Sequence, residues 1–250
     1  MKNVMIEVIY EDNHIIVVDK KAGVLTQGDS SGKTSLYDLV KDYIRVTCGK
    51  PGEVFLGIVH RLDRVVSGVI VFARTSKAAR RLHDQLLHKR TIKMYLALVP
   101  TGPALPEEWV NLEHTIRTDD GRSVITKEND TKGKKISLRY ITLVRDSTYA
   151  LLCIHLITGK KHQIRLQLSE SGSPIVGDGL YGSREKMNDA IFLHSYFLRI
   201  KHPTKDEFCE FIAEIPSMFH EKLNITPEIE KIIIDTIQNE AAKYSAYTDS

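Results

Sequence analysis

The chain has 250 residues, 42% hydrophobic and 27% charged, with a formal net charge of +3, which is the profile of a soluble globular protein of one large domain or two small ones. No apolar run approaches the roughly 18–20 residues that a bilayer span needs, and Glu7 falls where a signal peptide would need an unbroken apolar core. These features point to a cytoplasmic protein without a membrane partner. Cys48, Cys153 and Cys209 lie far apart and form no CxxC pair, so neither a disulfide framework nor a metal site is expected.

Residues 5–10 and 14–19 run apolar or alternate around Glu11-Asp12-Asn13, which predicts a hairpin or two adjacent strands. Lys20-Lys21-Ala22-Gly23 follows as a turn. Over 34–48, Leu36, Leu39, Val40, Tyr43 and Ile44 recur at helical spacing, with Thr34 or Ser35 as the cap. Gly49-Lys50-Pro51-Gly52 breaks that helix. Residues 55–59 and 69–73 read as strands on either side of a polar loop. Thr75 or Ser76 caps a second helix whose stripe is Ala78, Ala79, Leu82 and Leu86, with Arg80, Arg81, His83 and Lys89 on its other faces. A strand over 92–99 follows, and 100–135 is rich in turn signals such as Asp119-Asp120-Gly121 and Lys132-Gly133, so an irregular hairpin with loops is expected there.

Residues 136–144 and 149–156 read as paired strands. From Gly159 to Leu168 the chain passes from a turn into a helix or strand end, closed by Ser171-Gly172-Ser173-Pro174. Residues 192–200 and 207–215 read as late strands, and Thr226-Pro227 opens a helix over about 226–245 with an Ile229, Ile232, Ile233, Ile237, Ala241 stripe. Strands predominate and the helices are not in βαβ order, which predicts α+β with a largely antiparallel sheet. Charge is unevenly spread. Residues 60–99 hold nine Lys/Arg against two acids, and 206–250 hold ten acids against three lysines. That asymmetry suggests one polyanion-facing side and a solvated acidic tail.

The polar loop carries the strongest signal: His60-Arg61-Leu62-Asp63-Arg64-Val65-Val66-Ser67-Gly68, followed by aliphatics. Charge beside a core strand is costly unless paired, so a carboxylate between two arginines at this place marks a site. The stretch resembles the signature of the RluA-type pseudouridine synthases, His-Arg-Leu-Asp-x-x-Thr-Ser-Gly, with Val66 in place of the threonine. Three further segments resemble that family in order. Lys93-Met94-Tyr95-Leu96-Ala97 is similar to its Lys-x-Tyr-x-Ala. Thr158-Gly159-Lys160-Lys161-His162-Gln163-Ile164-Arg165 is similar to its Thr-Gly-Arg-Thr-His-Gln-Ile-Arg, and leads to Pro-Ile-x-Gly-Asp and Tyr-Gly elements at Pro174–Asp178 and Tyr181-Gly182. Leu193-His194-Ser195 is similar to its Leu-His-Ala. The resemblance spans about 5–215. It implies a single pseudouridine synthase catalytic domain over 1–250, opening too near Met5 to leave an N-terminal S4-type RNA-binding domain. Lys21 stands where the family often has proline.

The resemblance implies that Asp63 is the catalytic carboxylate, that Tyr95 lies against the target base, and that Arg165 pairs with the aspartate. Base stacking on an aromatic ring is favourable by roughly 1–3 kcal/mol, although periodicity alone makes Tyr95 a core aromatic. A nearby guanidinium would favour the ionised carboxylate. Residues His60, Arg61, Arg64, Arg80, Arg81, Lys160, Lys161, His162 and Gln163 are expected to contact RNA, a structural role being equally open for His162 and Gln163. Leu62, Ser67, Gly68 and Leu193 are expected to form the site wall. Lys160 keeps the charge of the usual arginine but loses its planar fork. The implied partner is a ribosomal or transfer RNA stem-loop from which the target uridine leaves its stack. No cofactor is implied, and a monomer is the default. A non-catalytic RNA-binding or ribosome-assembly protein on the same fold is the alternative. A hydrolase that cleaves nucleosides fits less well, because such enzymes use two carboxylates.

Overall fold

The computed structural model describes residues 6–30, 32–49, 53–102, 105–119 and 122–245. Positions 50–52 of the expected breaker and Asp120-Gly121 of the expected turn lie outside them. In chain order the elements are β1 (Glu7–Glu11), β2 (Ile15–Lys20), α1 (Leu36–Thr47), β3 (Gly57–Ile58), β4 (Ser67–Ala73), α2 (Ser76–Leu87), β5 (Ile92–Pro100), β6 (Val110–Asp119), β7 (Arg122–Thr126), β8 (Lys134–Arg145), β9 (Tyr149–Leu156), α3 (Gln163–Glu170), a 3-10 turn (Gly179–Tyr181), β10 (Leu193–Lys201), β11 (Phe208–Ile212), α4 (Ser217–Leu223) and α5 (Pro227–Ser245). The pairs β1–β2, β2–β4, β3–β4, β10–β11, β5–β9, β6–β7, β6–β8 and β8–β9 are all antiparallel, and the α+β class read from the sequence holds.

The chain divides into two compact units, Met1–Thr91 with Ser195–Glu214, and Ile92–His194 with Ile215–Ser250. In the first unit the strands run β1-β2-β4-β10, with β3 on β4 and β11 on β10. Every residue of β2 and β4 is buried, which is why their sequences run apolar instead of alternating. Ile15, Val17, Val69, Val71, Leu198, Ile200 and Phe211 pack with Ala78 and Leu82 of α2 into one core, and a large aliphatic side chain buried in this way stabilises by roughly 1.5–3 kcal/mol. Both helices start where the capping residues predict. Ser35 and Asp38 form a reciprocal capping box on α1, and Thr75 caps α2 by accepting from the Ala78 N–H.

In the second unit the order is β5-β9-β8-β6-β7. Here the structure departs from expectation. Where the turn-rich composition of 100–135 suggested an irregular hairpin with loops, the hairpin of β6 and β7 is regular, with Ile116 opposite Ile125 and Thr115 opposite Thr126. Along β6 residues alternate between exposed and half-buried from Asn111 to His114, so its polar content is that of a strand with one wet face. Helix α4 was also not anticipated. It has seven residues and no side-chain cap. In α5, Ile233, Ile237 and Ala241 are buried as expected while Ile232 is 43% exposed. Its docking also uses a buried carboxylate: Glu240 accepts from Arg139 Nη1 at 2.6 Å and lies 3.3 Å from His155 Nδ1.

Candidate active site

Asp63 stands in a loop of the first unit that its neighbours brace on both sides. Its own carbonyl accepts from the Val66 N–H at 3.0 Å, closing a tight turn. One residue earlier, the Thr26 hydroxyl donates to the Leu62 carbonyl at 2.8 Å while accepting from the Leu62 N–H at 3.2 Å. One residue later, the Arg64 carbonyl accepts from the Gly23 N–H at 2.8 Å and from Lys20 Nζ at 3.2 Å. His60 Nε2 accepts from the Val71 N–H at 3.1 Å, so the start of the loop is tied to β4. Gly68, at φ +114°, closes the far side. A Cβ there would lie 2.2 Å from the Ser195 carbonyl oxygen, so no larger residue fits. Ser67 and Leu62 are buried beside it, and Leu193, at the first position of β10, is buried in the second unit.

Lys20, which the sequence places in a turn, is the fully buried last residue of β2. Its ammonium donates to the Val24 carbonyl at 2.8 Å and to Lys21 and Arg64 at 3.1 and 3.2 Å. Burial pushes its pKa down to about 7, against the opposing attraction of the Asp63 and Asp19 carboxylates. The signal was present in the sequence: a lysine two residues beyond Val18 shares that buried face of the strand. Thr26 carried no comparable signal, because its partner Leu62 is 36 residues away.

Arg61 is exposed and has no hydrogen bond or ion pair among the described residues. On α2, Arg80 is exposed and Arg81 donates to the Pro203 carbonyl at 2.5 Å. A cleft of about 550 Å³ lies between α2 and the turn joining β10 to β11, lined by Arg80, Arg81, Arg90, Lys201 and Lys205 against Asp84 and Asp206. His202 shapes that turn. It donates from Nε2 to Asp12 at 2.8 Å, and its Nδ1 accepts from the Lys205 N–H at 3.1 Å.

In the second unit, Arg165 of α3 is buried and forms a two-pronged pair with Asp178, from Nε at 2.7 Å and from Nη2 at 2.9 Å. Its guanidinium carbon also lies 5.0 Å from the Tyr181 ring centre. Tyr95 is 6% exposed on β5, opposite Ile154. Lys160 and Lys161 are exposed on the turn before α3. His162 sits in the left-handed region at φ 57° and places Nδ1 3.0 Å from the Tyr181 hydroxyl. Of the two roles open to Gln163, its contacts are those of the structural one. It is 2% exposed and its amide is spent inside the protein, accepting from Thr158 Oγ1 and the Lys160 N–H and donating to the Ser137 carbonyl and Gln167 Oε1. It holds the turn that presents Lys160 and Lys161 and has no donor or acceptor left for RNA. No cluster of three metal-ligating side chains exists among the described residues, and no helix among them is long and apolar enough to cross a membrane.

The RNA pseudouridylate synthase family matches residues 14–170. The ribosomal large subunit pseudouridine synthase D of Borreliella burgdorferi is 33% identical over 224 residues, covering 87% of this chain and 67% of the relative. An uncharacterized RNA pseudouridine synthase of Aquifex aeolicus is 32% identical over 234 residues, covering 87% and 72%. Among solved structures, human RNA pseudouridylate synthase domain containing 4 superposes with a TM-score of 0.72 at 22% identity, covering 87% of this chain and 92% of the human one, a likeness of fold. The family match takes in the braced Asp63 loop, Tyr95 and Arg165 together, and by it and its relatives the chain belongs to the RNA pseudouridylate synthases, isomerases that act on RNA.

Proposed function

We propose that this enzyme converts one defined uridine of ribosomal RNA to pseudouridine, with Asp63 as the acting carboxylate. The observation that carries the reading is the way the chain holds Asp63: hydrogen bonds at Leu62 and Arg64 fix the backbone on both sides of it, as a group that must meet a reacting centre in one geometry requires. The reaction breaks the N1–C1′ bond, turns the uracil, forms C5–C1′, and moves the C5 proton to N1. It balances without an oxidant, a reductant or an added group, so it calls for no cofactor. Asp63 acts at the sugar, as nucleophile on C1′ or as base on a sugar proton, and either role needs the ionised form. Tyr95 is assigned to the face of the base and Arg165 to the ordering of the acidic centre. Arg61, Arg64, Lys160 and Lys161 are assigned to the RNA backbone, with Arg80 and Arg81 extending that contact along α2. The names of relatives that modify the large ribosomal subunit favour ribosomal over transfer RNA as the substrate. The enzyme is taken to work as a cytoplasmic monomer, both units serving one catalytic domain.

The test is pseudouridine mapping of total RNA from cells with and without the gene. One ribosomal site should vanish on deletion and return with wild type but not with Asp63→Asn. Purified Asp63→Ala protein should bind RNA normally and turn over at least about 10⁴-fold more slowly, a loss on the scale of removing a covalent or acid–base group. Turnover retained by that variant removes Asp63 from the mechanism. Normal RNA binding by the wild type with no site lost on deletion would instead favour a non-catalytic RNA-binding role.

A further inference from the structure

Lys93, two residues before Tyr95 on β5, is a partly buried cation. Among the described residues its Nζ has no hydrogen-bond or ion-pair partner. Burial lowers its pKa to about 8, with no charged group resisting the shift. Its ammonium faces the turn before α3: a Cβ built at Gly159 would lie 3.3 Å from it. Neither β5 nor the whole stretch 149–169 contains an Asp or Glu, so neither the strand that carries Lys93 nor the turn it faces supplies a counter-charge. A desolvated ammonium without an anion is unfavourable, and a surface lysine normally avoids the cost by extending its head into water. This one is turned toward an exposed glycine, with the exposed Lys160 next along the turn.

We infer that Lys93 and the Gly159–Lys160 turn form a phosphate subsite, in which a backbone phosphodiester of the RNA supplies the missing counter-charge. The inference rests on the reading of this protein as an RNA isomerase and adds to it a specific contact. Gly159 is the residue that makes room, since any side chain there would crowd the ammonium.

The test is filter binding of a labelled in vitro transcript of large-subunit ribosomal RNA across salt concentrations, with turnover measured on the same transcript. Lys93→Met should bind about five- to tenfold more weakly at 0.1 M salt, and the slope of log affinity against log salt should shrink by about 0.7–0.9, the value of one phosphate contact. The loss should appear in KM with kcat nearly unchanged, and Lys93→Arg should restore most of it. Gly159→Asp, which places a carboxylate against the ammonium while leaving Lys93 in the sequence, should give the same loss. Adding Lys93→Met to it should cost nothing further, because both changes remove one interaction. An unchanged slope in a folded Lys93→Met protein, or a loss confined to kcat, overturns the inference. A wild type that binds the transcript but never isomerises it would count against the proposed function and leave the binding result readable.

Discussion

The loop that carries Asp63 and the segment around α3 each bury a cation, and they neutralise it in different ways. Lys20, in the first unit, is surrounded by backbone carbonyls, which satisfy its donors but supply no formal charge. Arg165, in the second, is matched by the carboxylate of Asp178 in a two-pronged pair. A lysine head is compact and releases its proton when desolvated, whereas a guanidinium does not. The first arrangement therefore leaves a titratable group beside the Asp63 loop, and the second makes a rigid fixture that stays charged at any working pH.

The largest effect should come from breaking the fixture. Arg165→Met leaves Asp178, 1% exposed, as a buried carboxylate without its main partner, a loss of about 3–5 kcal/mol. Urea unfolding would measure it. Replacing both residues with apolar ones of similar volume should recover much of that stability and none of the isomerase activity. A single-variant cost under about 1 kcal/mol would mean that the pair is screened more than its burial implies.

The next effect separates the two cations by pH. Lys20→Met takes the donor from the Val24 and Lys21 carbonyls, while the Arg64 carbonyl keeps the Gly23 N–H, and should cost about 2 kcal/mol at neutral pH. The sign of the pH dependence follows from the lowered pKa. Between about 7, where the folded lysine gives up its proton, and 10.5, where the unfolded one does, the unfolded chain binds more protons, so wild-type stability rises with pH. Lys20→Met should lack that rise, and its deficit should grow from pH 7 to pH 10 in thermal or urea melts. Arg165→Met should show no such trend over the same range. Parallel pH profiles for wild type and Lys20→Met would place the titration of Lys20 outside this window.

How much of this could be read beforehand depends on how far apart the partners are. The buried strands β2, β4, β5 and β9 announce themselves as unbroken apolar runs, and α1 and α2 by a cap followed by a stripe, because those signals lie within a few residues of each other. Asp63 and Arg165 stood out through the motifs around them. Gln163, by contrast, reads like a surface residue until Ser137, 26 residues away, is seen to accept from it. Glu240 sits in what looks like an acidic, solvated tail until Arg139 appears 101 residues away. The regular strands of the β6–β7 hairpin were hidden for another reason. A strand with one wet face carries the same Thr, Arg and Glu content as a loop, and the Lys134–Arg145 partner of β6 is what distinguishes them. Lys20 lies between these cases: its place in a buried strand was readable, but its three acceptors were not.

The smallest effect tests whether the exposed cations behave differently from both buried ones. Arg80 is exposed on α2 with no partner among the described residues, while its neighbour Arg81 is tied to the Pro203 carbonyl at 2.5 Å. Neither is desolvated, so substitution should change stability by less than about 0.5 kcal/mol. Both line the cleft beside the turn that joins β10 to β11, and a polyanion crossing it would meet Arg80 free and Arg81 already engaged. Arg80→Ala should therefore weaken RNA binding about two- to threefold at 0.1 M salt and reduce the salt slope by somewhat less than one phosphate. Arg81→Ala should do less, because its guanidinium must give up a carbonyl to reach the RNA. Equal losses at the two positions would mean that the Pro203 contact does not hold Arg81 back. No loss at either would place the RNA path away from α2 and leave Arg61, Lys160 and Lys161 as the backbone contacts to examine.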